Sequence, residues 1–378
     1  MPLEARLLTL DPGILGRRRC LQGLQAIGAL SAAGAQSLFA SGNASALAWP
    51  QLTGSPVLDS LRPVIERSRD VRTHLGKIKE VSGWMAYEEL PMPDYQMPFG
   101  IGEGSAEDVI DFILTADCID TAFTDFSSHL KFQVDYAGRH WSDSDALFAC
   151  IKRALDNGIP VLDGRYLAGV MRPELERIFA GNIELPMLDE KMQVLHQVGG
   201  VLEEKYAGRF RNFVKSCSPR LYDNGNGLID RLVKEFPRFN DVSEYDGHTI
   251  KFYKLSQLGV WFVYSALRKT GGFRLDDVGK MTAFADYMVP VGLRLLGITS
   301  YSPALERAIN THQLIPRDSR WEVEIRAHCV YATALLCEEI NRIRPHDLQI
   351  IIPQIDARIW THYHTTFWPH HLTRTIMY

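Results

Sequence analysis

The chain has 378 residues, of which 46 % are apolar and 23 % charged, enough to bury a large core. A net charge of −4 and a pI near 6.3 give no bulk attraction for nucleic acid or an anionic membrane, so the expected partner is a small polar ligand and direct nucleic-acid binding is not expected. No run of about 18 or more apolar residues argues for a membrane span, and the six cysteines form no CxxC pair, which favours a reducing compartment such as the cytoplasm.

In chain order, the first 58 residues stand apart. After Asp11 no acidic residue appears until Asp59, while Arg17, Arg18 and Arg19 precede a stretch rich in Ala, Gly, Leu and Ser. That composition is similar to a mitochondrial presequence, but Glu4 and Asp11 at its front favour an extra amphipathic helix. Residues 1–58 are therefore read as an N-terminal extension, with mitochondrial targeting as the alternative to a cytoplasmic location, and residues 59–378 as the main domain.

The apolar positions Leu61, Val64, Ile65, Val71, Leu75, Ile78 and Val81 predict a helix over 59–84, followed by a Pro- and Gly-rich loop over 91–104. A helix over 106–114 leads into Asp117 and Asp120. Alternation at Leu130, Phe132, Val134 and Tyr136 before Ala137-Gly138 predicts a hairpin, and Ser142 to Asp145 offer N-caps for a helix ending at Asn157-Gly158. Helices are expected over 173–180, 188–206, 210–216 and 228–236, then a strand or hairpin over 248–253 after Asp246-Gly247, and helices over 256–267, 303–311 and 321–343. The architecture implied is mainly α, a compact helical domain with a small antiparallel β element, and it lacks the strand–helix alternation of a doubly wound fold.

Between the last of these helices lies Phe284-Ala285-Asp286-Tyr287-Met288-Val289-Pro290. Val278, Met281, Ala285, Met288, Val289, Leu293 and Leu296 recur at roughly helical spacing and predict a helix over 275–296, with Asp286 beside the apolar stripe. Burying that carboxylate unpaired costs at least ~3 kcal/mol, so it needs a partner or a ligand. Pairing with an arginine, capping a helix restarted near Pro290, and ligand binding all satisfy this requirement.

The chain contains no GxxxxGK[ST], no strand-linked GxGxxG, no HExxH and no GxSxG. His362, His364, His370 and His371 lack an accompanying carboxylate or thiol at ligand spacing, so no metal and no other cofactor is expected. Glu322 and Arg326, spaced i, i+4 beside Arg320 and Glu324, suggest a structural ion-pair network. Asp356 is different, because it follows Ile350-Ile351-Ile352-Pro353-Gln354-Ile355 and precedes Ile359-Trp360. A carboxylate held in an apolar wall suits a reaction passing through a cationic transition state, of which glycosyl cleavage is the obvious example.

Six blocks in order carry a resemblance: Arg153-Ala154-Leu155-Asp156-Asn157-Gly158-Ile159-Pro160, Phe252-Tyr253-Lys254 with Gln257, the Ala283 to Pro290 stretch, Arg320-Trp321-Glu322-Val323-Glu324-Ile325-Arg326, Ile355-Asp356 with Trp360, and Arg374-Thr375-Ile376-Met377-Tyr378. Together they resemble the queuosine salvage family, the queuosine 5′-phosphate N-glycosylases. The resemblance implies a helical fold similar to helical DNA glycosylases, and metal-independent hydrolysis of the N-glycosidic bond of queuosine 5′-monophosphate, which releases queuine for tRNA modification. It implies that Asp356 is the nucleophile or transition-state stabiliser and that Phe284 and Asp286 line the base pocket. Lys254 becomes a candidate for the 5′-phosphate, although a solvated strand end also fits, and Asp117 and Trp360 join it as substrate-binding candidates.

Several positions depart from the family pattern. Asp120-Thr121-Ala122-Phe123-Thr124 stands where the family usually has an Asn-Phe-Ser-Phe-Trp-like stretch, and Asp143-Ser144-Asp145-Ala146 where it has Gly-Tyr-Trp-Ser. Ala357 replaces an aromatic, Thr361 an acid found in some members, and Glu88 aligns near a family His. Such changes also fit a paralogue that uses the same acidic pocket on another small molecule, or a silent binding protein.

Overall fold

Helices dominate the chain, as the period of its apolar residues predicts. A computed structural model describes residues 48–378 except 53, 94–103, 365 and 367. The presequence-like stretch, Cys20 and most of the 91–104 loop lie outside the described residues. The helices are α1 (Pro56–Ser60), α2 (Arg62–Arg67), α3 (Leu75–Met85), α4 (Ala106–Asp117), α5 (Asp143–Asp156), α6 (Gly164–Gly169), α7 (Arg172–Ile178) and α8 (Leu188–Tyr206). They continue as α9 (Phe210–Ser216), α10 (Leu228–Glu235), α11 (Lys254–Leu267), α12 (Met288–Leu295), α13 (Pro303–Asn310), α14 (Arg320–Ile343) and α15 (Ile352–Tyr363).

Among the described residues the strands form three two-stranded antiparallel sheets. β2 (Gln133–Tyr136) and β3 (Arg139–Ser142) make the first expected hairpin, and β4 (Val242–Tyr245) and β5 (His248–Lys251) make the second around Asp246-Gly247. The third sheet, β1 (Val71–Thr73) with β6 (Thr299–Tyr301), was not anticipated. It corrects the single helix expected over 59–84. The Glu324 carboxylate accepts the backbone N–H groups of Arg69, Asp70 and Val71 at 2.8–3.1 Å, which holds the chain extended between α2 and α3. A long-range acceptor thus wins over local periodicity.

The helix expected over 275–296 is also shortened. Residues 281–287 are non-helical, and α12 begins only at Met288. Asp286 Oδ1 accepts the N–H groups of Met288 and Val289 at 2.8 and 2.9 Å, so this side chain terminates the extended segment and caps the helix. α15 starts where Pro353 can occupy the first turn without a missing hydrogen bond.

α14 is the central helix, buried almost continuously from Glu322 to Cys337, and it packs against α2, α3, α12 and α15. α4 lies on α11, and α12 on α15. Gly292 permits the second of these contacts, because a Cβ there would collide with Ile359 and Tyr363 of α15. Residues 49–378 form one unit. Cys118, Cys150, Cys217, Cys329 and Cys337 are free thiols. No helix among the described residues is long and apolar enough to cross a membrane.

Candidate active site

Four helices, at or near their ends, bring together the polar groups of the candidate site. Asp117 is the last residue of α4, Lys254 the first of α11, Asp286 stands two residues before α12, and Asp356 lies in the second turn of α15. All four side chains are buried. The α4–α11 contact brings Asp117 against Gly259, where a Cβ would sit 2.5 Å from its Oδ2. The α12–α15 contact brings the Asp286 segment to Asp356: the Phe284 N–H donates to Asp356 Oδ2 at 2.9 Å.

The electrostatics follow from this packing. Burial pushes the Asp356 carboxyl well above the usual range and the Asp286 charge raises it further, against opposition from the Phe284 N–H and Lys254. Burial also raises Asp286, opposed by Lys254, the two capping N–H groups and Arg326. Asp117 is raised well above its ordinary value by burial and then by Asp120, with Lys254 and Arg238 opposing. Both of its oxygens are buried without a hydrogen-bond partner. Asp120 is raised by burial too, and Lys254 heads the groups that oppose the shift. One lysine is therefore common to four carboxylates that together exceed its charge.

The Lys254 ammonium makes no hydrogen bond or ion pair with any described residue, although its backbone N–H is held by Asp241 Oδ2 at 3.2 Å. It is buried rather than a solvated strand end, so that alternative is withdrawn: the residue opens α11 after Tyr253, whose φ of 50° turns the chain sharply. A buried ammonium without a partner is suited to an anionic ligand group.

Asp286 has a double role. Its Oδ1 is taken by the cap, which realises the capping role weighed from sequence, while Oδ2 accepts no hydrogen bond from a described residue and can face a ligand. The Phe284 ring is buried beside Trp261, with centroids 6.5 Å apart, and its backbone rather than its ring contacts Asp356. Trp360 is not brought into the buried cluster. One turn beyond Asp356, its ring is 41 % exposed and stacks on His364 at 4.5 Å. Glu88 clasps Arg358, two residues after Asp356, through both carboxylate oxygens at 2.7 and 3.0 Å and so ties α15 to the end of α3.

The family model described as queuosine salvage protein matches residues 102–378. The chain belongs to the queuosine salvage family. A relative from Sphaerobacter thermophilus named queuosine 5′-phosphate N-glycosylase/hydrolase is 33 % identical over 328 residues, covering 85 % of this chain and 97 % of its own length. Relatives of the same name from Bos taurus and Mus musculus are 29 % and 28 % identical, over 74 % and 80 % of this chain and 82 % and 91 % of theirs.

Sequence reasoning assigned no role to several residues around the candidate site. Lys191 is buried and donates to the carbonyls of Thr121, Ala122 and Pro186 at 2.6–3.2 Å, fixing the loop that follows Asp117. Gln257 bridges the Phe252 carbonyl and Thr282, joining α11 to the 281–287 segment. Tyr287 packs against His370 with the rings tilted and their centroids 4.5 Å apart, and a cavity of about 30 Å³ beside it is lined by Phe123, His371 and Tyr378. A wider groove of about 550 Å³ near Arg153, Asn157 and Arg177 contains none of the site carboxylates, and its Arg153 is already engaged by the carbonyls of Ile178 and Ala180. The four C-terminal histidines take different partners, with His371 buried near the Tyr378 hydroxyl.

Proposed function

We propose that this chain hydrolyses the N-glycosidic bond of queuosine 5′-monophosphate and releases queuine. The observation that carries the reading is Asp356, a desolvated carboxylate fixed on one oxygen by the Phe284 N–H beside a second carboxylate and an unengaged lysine. Queuine is a 7-deazaguanine and lacks the N7 that would accept a proton, so departure of the base depends on stabilising the ribosyl cation. In the ionised state Asp356 does this across a low-dielectric gap, or captures C1′ briefly. The C1′–N bond breaks with its electron pair passing to the base, water adds its oxygen to C1′, and one water proton ends on the base.

In this reading Asp286 Oδ2 accepts from the guanine-like N–H edge, and the Lys254 ammonium meets the 5′-phosphate. Asp117, with two unpartnered oxygens, is assigned to substrate contact as well. Trp360, being exposed, is assigned a contact only at the outer end of the ligand. The test is mass spectrometry of purified protein incubated with queuosine 5′-phosphate. Free queuine should appear with the wild type and fall by roughly 10²–10³-fold in Asp356→Asn. Intact substrate after long incubation with the wild type overturns the reading.

One observation favours a second reading, an altered substrate. The two stretches that depart from the family pattern meet in space: Ser144 Oγ donates to Asp120 Oδ1 at 2.5 Å. Asp145 alongside is raised by burial and then by Asp120 and Asp143. A different nucleotide-like molecule cleaved in preference to queuosine 5′-phosphate would establish that reading.

A further inference from the structure

Arg326 occupies the centre of α14 and is almost wholly buried, with its guanidinium between the rings of Phe252 and Tyr378 at 4.0 and 4.2 Å. Its Nη1 and Nη2 engage the two oxygens of Asp241 at 3.0 and 2.5 Å, and Nη1 also reaches Glu322 at 3.4 Å. Burial alone would lower its basicity, but Asp241 and Glu322 more than reverse that, so the charge persists. The remaining donor, Nε, bonds the Ala285 carbonyl at 3.0 Å. That carbonyl lies between Phe284, whose N–H holds Asp356, and Asp286.

Asp241 carries the same connection to the other wall. Its Oδ2 accepts the Lys254 N–H at 3.2 Å, and its backbone carbonyl accepts the N–H groups of Phe252 and Tyr253 at 3.0 and 3.2 Å. These bonds hold Tyr253 in the left-handed conformation from which α11 starts. Residues 281–287 have no helix or strand of their own to hold them. A single ion pair thus touches both the segment that presents Asp286 and the turn that presents Lys254.

We propose that Arg326 and Asp241 are positioning residues for this site, locking the Phe284–Asp286 segment and the Lys254 end of α11 into one fixed arrangement. Neither reaches substrate in this scheme; each acts through the backbone of its neighbours. The planar fork is required, because three directions must be satisfied at once and a lysine ammonium cannot present donors at that spacing. The kinetic part of the inference rests on the glycosidase reading, whereas its structural part does not.

The experiment compares Arg326→Lys, which keeps the charge and loses the fork, with Arg326→Gln, which loses both. Hydrogen–deuterium exchange on the intact chain should show residues 252–257 and 281–287 losing protection together, by about 10-fold or more, while α8 and α9 stay at wild-type rates. With queuosine 5′-phosphate, kcat should fall about 10²-fold with KM within about threefold. Wild-type exchange in both segments, loss in only one of them, or a uniform rise throughout the chain overturns the proposal. If the Arg326 variants do not accumulate as folded protein, Asp241→Asn is read on the same two segments by the same criteria. A wild type that leaves the nucleotide intact would refute the glycosidase reading while the exchange result still decides the positioning role.

Discussion

Glu324 and Asp356 are both buried carboxylates on helices that pack against each other, yet their oxygens are treated differently. Glu324 accepts three backbone N–H groups and the Tyr245 hydroxyl, with Arg320 at 3.5 Å. Asp356 accepts one N–H, faces a second carboxylate, and shares one lysine with three other acids. A carboxylate with every lone pair occupied is fixed in charge and place and serves the fold. One left partly bare in a low dielectric is costly to the fold and strongly attractive to positive charge, which is the property a glycosyl-cleaving site uses.

Removing the saturated member should therefore damage stability most. Glu324→Ala leaves the N–H groups of Arg69, Asp70 and Val71 without their acceptor, and a loss of about 3 kcal/mol or more is expected in the urea midpoint, with β1–β6 the first part to open. An unchanged midpoint would erase the contrast between the two clusters.

A smaller effect sharpens the comparison from the other side. If ionised Asp356 is the active form, kcat/KM should rise with pH through a limb above the ordinary aspartate range near 3.9. The Asp286 charge raises Asp356, so Asp286→Asn should move that limb to lower pH whatever it does to the absolute rate. Lys254 lowers both carboxyls, so Lys254→Met should move it to higher pH. A limb that stays fixed in both variants would mean that another group controls the profile.

The smallest effect concerns Asp117, whose folded-state value is raised above its unfolded one. Such a group keeps its proton in the native state where the unfolded chain has lost it. Its stabilisation is complete below the unfolded value and disappears as pH rises through the folded one. The thermal-midpoint difference, Asp117→Asn minus wild type, should thus become more positive from pH 4 to pH 8. A difference that is flat or declines with pH would show that Asp117 has a partner in solution that keeps it ionised.

The elements were largely legible because long amphipathic helices announce themselves locally. The hairpins at Ala137-Gly138 and Asp246-Gly247 were legible for the same reason, since turn chemistry and alternation sit within a few residues. The two failures, over 59–84 and 275–296, share one cause. In each, a carboxylate claims backbone N–H groups that the helix would have used, Glu324 from far along the chain and Asp286 from within the segment. Apolar spacing cannot register where a donor finds its acceptor.

At the site, sequence alone determined which residues were out of place: Asp356 in an isoleucine-rich run and Asp286 beside an apolar stripe, because a charge among hydrophobes demands an explanation wherever the chain folds. It also determined that Arg326 would pair with Glu322, one helical turn away. Only the tertiary structure decided that Lys254 is buried among four acids, that Trp360 is turned outward, and that Arg326 takes Asp241 as its main partner across 85 residues. Those outcomes depend on helix termini meeting in space, with glycines at positions 259 and 292 permitting the close approach, and contacts of that range leave no periodic trace in the sequence.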